Sequence, residues 1–244
     1  MAIVTGPVKS WSYSRLIDFE TCPYRAELKY VNKIPEEKAE AAERGTQIHQ
    51  LAEDYVSGKL PDFPLELIHF AEEFAKLKDK YKAGEVSLEG EWGFNQNWLI
   101  STYKDAWVRI KLDARYAMTK KHSVVVDYKT GKKSGNEVKH GEQVLLYGLA
   151  ELLRQPEVES VTVELWYLDI NELVSLTYTR EELLRYLPSF EKRGIKLTTA
   201  TKFPATPNTF SCKWCAYGPN KGNQCNYGVS TLSNPISDYR KRFK

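Results

Sequence analysis

The chain has 244 residues, 42% of them hydrophobic, with 35 basic and 32 acidic side chains and a formal net charge of +3. It can therefore bury the core of one large domain, or of one large and one small. No apolar run approaches the ~20 residues that cross a bilayer, and the opening stretch MAIVTGPVKSWSYSRL lacks the unbroken apolar segment of a secretion signal. The expected location is cytoplasmic (the host cytoplasm if phage-encoded), where thiols stay reduced. Charge is uneven along the chain: acidic residues dominate 36–91 and basic residues dominate 101–140. A basic centre can track phosphates, although a solvated face has the same composition.

Residues 12–30 have helical spacing broken at Cys22-Pro23, with Ser12 or Ser14 as the cap of a first short helix and Pro23 in the first turn of a second. Residues 36–57 read as a helix ending near Gly58. Residues 65–80 form an amphipathic helix with Leu67, Phe70, Phe74 and Leu77 on one side. Four strands follow: VSLEGEWGF, NWLISTY, AWVRIKLDARYAM and SVVVDYKT. Helix returns over 140–154, then VTVELWYLD and ELVSLTYT pair as a hairpin, and 180–197 is helical. From Lys202 the chain reads as loop, ending in the basic tail DYRKRFK. The order predicts an α/β fold, helices against a central mixed sheet.

The stretch VVVDYKTGK (124–132) runs from three valines into an acid and a base. Strand alternation puts Asp127 and Lys129 on one face. On the preceding strand Asp113 falls on the face opposite Val108, Ile110 and Leu112. If the two strands pair as a hairpin, Asp113 and Asp127 converge, and two carboxylates sharing a site repel unless a cation lies between them. Hard oxygen ligands suit Mg²⁺ or Mn²⁺. A neighbouring lysine can then act on a bound water or on a phosphate. Alone, Asp127 and Lys129 support only an ordinary same-face ion pair on an exposed strand end.

Cys212 and Cys215 form a C-x-x-C, Cys225 follows after nine residues, and Cys22 lies far upstream. Such a set fits zinc, redox chemistry or a closed four-cysteine site.

RGTQIH (44–49), KLD ending at Asp113, VVVDYKTG (124–131) and QVLLY (143–147), in that order, resemble the PD-(D/E)XK nuclease superfamily, in its RecB-like branch with AddB-type and CRISPR-associated exonucleases. The resemblance runs from SYSRL and CPYR to the last cysteines. It implies a restriction-endonuclease-like core and hydrolysis of DNA, single-stranded or with free ends, by an exonuclease. It implies Mg²⁺ or Mn²⁺ held by His49, Asp113, Asp127 and the Tyr128 backbone carbonyl. Lys129 is implied as the catalytic lysine, with Gln143 and Tyr147 orienting the site and contacting DNA. An acidic position on an earlier strand matches Glu91. Ile110 stands where the family often has glycine. Cys22, Cys212, Cys215 and Cys225 are implied to hold a [4Fe–4S] cluster that clasps the chain ends. The nine-residue gap before Cys225 exceeds the usual spacing and leaves zinc open.

The implied organisation is a single compact unit: 1–35 supplying Cys22, a nuclease core over 36–200, a cysteine region over 201–230 and a tail over 231–244. Lys132 and Lys133, just past the turn, are placed to meet phosphates. Tyr13, Tyr24, Tyr30, Trp92, Trp98, Trp107 and Trp214 can stack on bases, though most are expected in the core. No G-x-x-x-x-G-K-[ST] is present, so a helicase motor or recombination partner would be a separate chain. Two other readings compete: a non-catalytic nucleic-acid-binding module stabilised by an iron–sulfur or zinc site, and a metal-stabilised interaction protein. Oligomeric state is left open.

Overall fold

The computed structural model describes residues 4–36, 39–131, 133 and 135–230. The expected basic tail (231–244) and Lys132 lie outside the described residues. Ser12 precedes helix α1 (Tyr13–Thr21), and its hydroxyl accepts a hydrogen bond from the Arg15 N–H, satisfying a donor that the first helical turn leaves free. Cys22 is extended between α1 and α2 (Pro23–Ala26), whose first turn carries Pro23. A single π turn continues over Glu27–Val31.

Helix α3 (Glu40–Val56) starts later than expected and stops before Gly58, which takes a φ of 82°. Glycine enters that left-handed region without a Cβ clash. The expected helix over 65–80 is a 3₁₀ segment (Leu65–Phe70) running into α4 (Ala71–Lys82). Leu67, Phe70, Phe74 and Leu77 are all buried.

The sheet follows with β1 (Val86–Phe94), β2 (Ile100–Ser101), β3 (Val108–Thr119) and β4 (His122–Lys129). Of the expected NWLISTY strand only the Ile100–Ser101 pair remains, because Asn95 and Trp98 close a turn instead. Helix α5 (Glu137–Arg154) then leads to β5 (Ser160–Tyr167) and β6 (Glu172–Thr179). The strands order β2-β1-β3-β4-β5-β6. All pairs are antiparallel except β4 and β5. A parallel pair cannot close through a tight turn, and α5 supplies the crossover.

The predicted helix over 180–197 divides into α6 (Arg180–Leu184) and α7 (Leu187–Thr199), with Pro188 in the first turn of the second. Thr179 and Glu182 complete a capping box before α6. Within the expected loop a short helix, α8 (Thr209–Trp214), forms behind an Asn208 cap. The side chain of Asn208 accepts from the Ser211 N–H at 2.8 Å, which the reading as loop did not anticipate.

The sheet is packed on both sides. One face carries Val125, Val163 and Leu165 against Leu16 of α1, Leu146 and Leu149 of α5, and Phe190 and Leu197 of α7. The other carries Val124, Val126, Tyr128 and Trp166 against Ile48, Ala52 and Val56 of α3 and Phe70, Phe74 and Leu77. The three valines of β4 therefore divide between two cores, each contributing about 1.5–3 kcal/mol of burial. That anchors the strand end that follows them.

The alternation slips at one place. Val108, Ile110 and Leu112 belong to the first core, whereas Ala114 and Tyr116 pack with the second. On β1, Glu89 lies between the pairs Leu88–Ala114 and Gly90–Leu112 and takes a φ of 47°. This change of phase places the polar side chains of Glu89 and Asp113 at a junction between the two cores.

Candidate active site

A cleft of about 470 Å³ opens at the C-terminal end of β4, between α3 and the sheet. His49, Asp113, Asp127, Tyr128, Lys129, Gln143 and Tyr147 all line it. Four elements bring them there. Ile48 and Ala52 bury one side of α3 and leave the His49 ring at the rim. β3 and β4, paired Ala114 to Val126, carry the two aspartates at opposed positions. α5 presents Gln143 and Tyr147 one turn apart.

Asp113 uses both oxygens. Oδ1 lies 2.8 Å from His49 Nδ1, and Oδ2 accepts from the Tyr128 N–H at 2.6 Å. Burial disfavours the charged imidazole, but the bond to Asp113 and its charge outweigh that and raise the His49 pKa.

Asp127 is 4% exposed. Burial pushes its pKa up to about 6; Lys129 pulls it down and Asp113 pushes it up. Lys129 Nζ stands 2.6 Å from Asp127 Oδ2 as an ion pair, the one close partner of that buried oxygen among the described residues. Lys129 also donates to Gln143 Oε1 at 2.7 Å, and Gln143 Nε2 donates to the Tyr147 hydroxyl at 2.6 Å. The two α5 residues thus hold the lysine from behind. Tyr147 is buried, which holds its pKa well above the ordinary tyrosine value and keeps the hydroxyl neutral. One turn before Gln143, His140 Nδ1 lies 3.0 Å from the Tyr167 hydroxyl. Burial and then Lys129 lower its pKa to about 4, so it is uncharged.

Two parts of the site escaped the sequence reading. Glu91 is exposed and does not line the cleft. Glu89, two residues earlier, does, and it forms with His49 and Asp113 a group whose ligand atoms all lie within 4.8 Å of one another. Strand alternation treats residues 89 and 91 alike; the positive φ at Glu89 separates them. The second part is a clamp. Arg44 donates both guanidinium arms to Asp169 at 2.7 Å, and Asp169 also accepts from the Gly131 N–H at 2.6 Å. It ties α3 to the turn that follows Lys129. A Cβ on Gly45 would sit 3.1 Å from Thr130 Oγ1, so the glycine beside Arg44 permits this approach.

Lys133 turns away from the cleft, with its ammonium paired to Glu172 and 5.4 Å over the Tyr167 ring. Of the aromatics named as stacking candidates, Tyr13, Trp92, Trp98 and Trp107 are buried, as most were expected to be. Trp214 is 64% exposed, with Lys213 over its ring.

The four cysteines border one small apolar cavity between the α1–α2 junction and the 205–228 segment. None of the four is in a disulfide. The Cys215 pKa is raised, by burial first, with Cys225 and Cys22 near enough to add to it. No three of their sulfurs lie within 4.8 Å of one another. Four thiolates on one zinc would stand about 3.8 Å apart, from a Zn–S bond of about 2.3 Å.

A mixed sheet between two helical layers, with clustered carboxylates and a lysine at a strand end, defines a class of α/β protein built around a polar cleft. A family model described as the PD-(D/E)XK nuclease superfamily matches residues 10–219, and the chain belongs to that superfamily. A protein described as a "Putative exonuclease" from Eubacterium rectale has the same fold, with a TM-score of 0.53 at 15% identity over 95% of this chain and 92% of that one. An alkaline exonuclease from Laribacter hongkongensis aligns at a TM-score of 0.39 and 13% identity, over 80% of this chain and 89% of that one. No curated protein sequence matches this chain. Among the described residues no helix is long and apolar enough to cross a membrane.

Proposed function

We propose that this protein is a metal-dependent deoxyribonuclease of the RecB-like branch, acting as an exonuclease on single-stranded DNA or DNA ends. The convergence of His49, Glu89, Asp113, Asp127 and Lys129 in one cleft carries the reading. The donor set fits a hard divalent cation: three ligand atoms within 4.8 Å and a buried Asp127 oxygen with Lys129 as its one close partner among the described residues. His49, Glu89, Asp113, Asp127 and the Tyr128 carbonyl would hold Mg²⁺ or Mn²⁺. When bound, such an ion polarises a phosphodiester and lowers the pKa of the attacking water.

The chain's own residues do the rest. Asp113 fixes the His49 ring through one oxygen and the β4 backbone through the other. Gln143 and Tyr147 restrict Lys129 to the cleft side of β4, where its ammonium can neutralise charge developing on a phosphate. The Arg44–Asp169 clamp keeps α3, and with it His49, against the Thr130–Gly131 turn. The preference for single strands and for ends rests on the RecB-like resemblance.

Cys22, Cys212, Cys215 and Cys225 border one cavity, which supports a [4Fe–4S] cluster as the RecB-like resemblance implies, with zinc as the alternative. Thiolates are the usual ligands of such clusters. Bound there, the cluster would join the 205–228 segment to α1 and act structurally. The test is degradation of end-labelled single-stranded DNA with Mg²⁺ or Mn²⁺ by protein purified without oxygen. Loss of cleavage in Asp127→Ala and Lys129→Ala supports the reading. DNA binding without cleavage by the wild type would make the protein a binding module instead.

A further inference from the structure

Lys111 lines the same cleft as the nuclease residues, two positions before Asp113 on β3. Its Nζ stands 2.6 Å from Glu89 Oε2, with its side chain 57% exposed and that of Glu89 22% exposed. Glu89 also belongs to the only group of His, Cys, Asp and Glu side chains among the described residues with three ligand atoms within 4.8 Å. One carboxylate therefore has two claimants, an ammonium and a divalent cation. At equal distance a dication attracts it twice as strongly as a monocation. The lysine can turn on its four-carbon stem: Glu89 is its one hydrogen-bonded side-chain partner, and Glu91 across the strand pair and Asp113 add weaker attraction. Lys129 contrasts with it, being 15% exposed and held by Asp127 and Gln143.

We propose that Lys111 is a phosphate-binding residue held in reserve by Glu89: a cation arriving at Glu89 displaces the ammonium, which turns to a phosphodiester of the DNA in the cleft. The inference rests on the nuclease reading of this site. No covalent bond forms or breaks; one ion pair is exchanged for two, Glu89 with the metal and Lys111 with the phosphate. Metal and DNA then promote each other's binding, because each removes a competitor of the other.

The test uses the full, cluster-loaded chain and two binding measurements that need no turnover. In calorimetric titration with MnCl₂ without DNA, Lys111→Ala binds Mn²⁺ about two- to fivefold more tightly than wild type, the size of a partly exposed ion pair. In EDTA, Glu89→Gln frees the lysine and tightens binding of a fluorescein-labelled oligodeoxythymidine by a similar factor. Relative to Lys111→Ala, Glu89→Gln/Lys111→Ala shows no such gain, which assigns it to Lys111 and not to the lost negative charge alone. Lys111→Arg keeps the DNA gain in the Glu89→Gln background. A gain that survives in the double variant, or a Mn²⁺ affinity that is unchanged or weaker in Lys111→Ala, overturns the proposal. A wild type that binds neither Mn²⁺ nor DNA overturns the nuclease reading and this inference with it.

Discussion

Asp127 is the residue whose removal separates stability from function. Its carboxyl is fully buried and its pKa is pushed up to about 6, first by burial, with Asp113 adding repulsion against the pull of Lys129. The unfolded value is about 3.9. A raised carboxyl pKa stabilises the fold only while the group is protonated. That contribution is complete below about pH 4 and is lost as pH rises through about 6. At about 1.4 kcal/mol per pKa unit, roughly two units make the ionised Asp127 cost about 3 kcal/mol above pH 6. Asp127→Asn removes the charge, and it also strips Lys129 of its ion partner. The pull of Lys129 is already contained in that raised pKa, so the expected gain for the metal-free variant is about 3 kcal/mol at pH 8. Near pH 4 the gap closes. Urea unfolding in EDTA at both pH values, with matched cluster content, measures it. Mg²⁺ should stabilise the wild type and leave Asp127→Asn nearly unchanged. An Asn variant that is less stable than wild type at pH 8, or a gap independent of pH, refutes the reasoning.

Asp113→Ala should lose both activity and stability. It leaves the buried Tyr128 N–H without its acceptor, a loss of about 1–3 kcal/mol readable by urea unfolding. Gln143→Ala should lower kcat more than KM, because it frees Lys129 without touching the carboxylates. Tyr147→Phe should have a smaller effect, since it removes only the acceptor behind Gln143; steady-state kinetics on labelled DNA compare the two. Cys212→Ser and Cys22→Ser should each give colourless, less stable protein, checked by visible absorbance and iron content.

Much of this architecture is readable from residue order. The helix faces of α3 and α4 follow from 3.6-residue spacing, and the three valines mark β4 as a strand buried on both sides. The apposition of Asp113 and Asp127 follows from a hairpin, because adjacent antiparallel strands fix which residues face one another. Glu89 was hidden because a non-glycine residue with positive φ leaves no sequence signature, and the local slip in alternation moves the site's acid from 91 to 89. Lys133 follows the turn in a way that suggested phosphate contact. Its partner Glu172 lies on β6, and only the β4–β5–β6 pairing brings it near. The Arg44–Asp169 clamp has the same character, joining residues 125 positions apart. Helix α8 had a local signal that could have been read: Asn208 as a cap, and C-x-x-C spacing that suits one helical turn.

Cleavage of end-labelled single-stranded DNA by anaerobically purified protein tests the central claim most directly. The account predicts degradation that needs Mg²⁺ or Mn²⁺, stops in EDTA, and is abolished in Asp127→Ala and Lys129→Ala while both variants stay folded. Cleavage that persists undiminished in those variants, or none by the wild type with either metal, would contradict it.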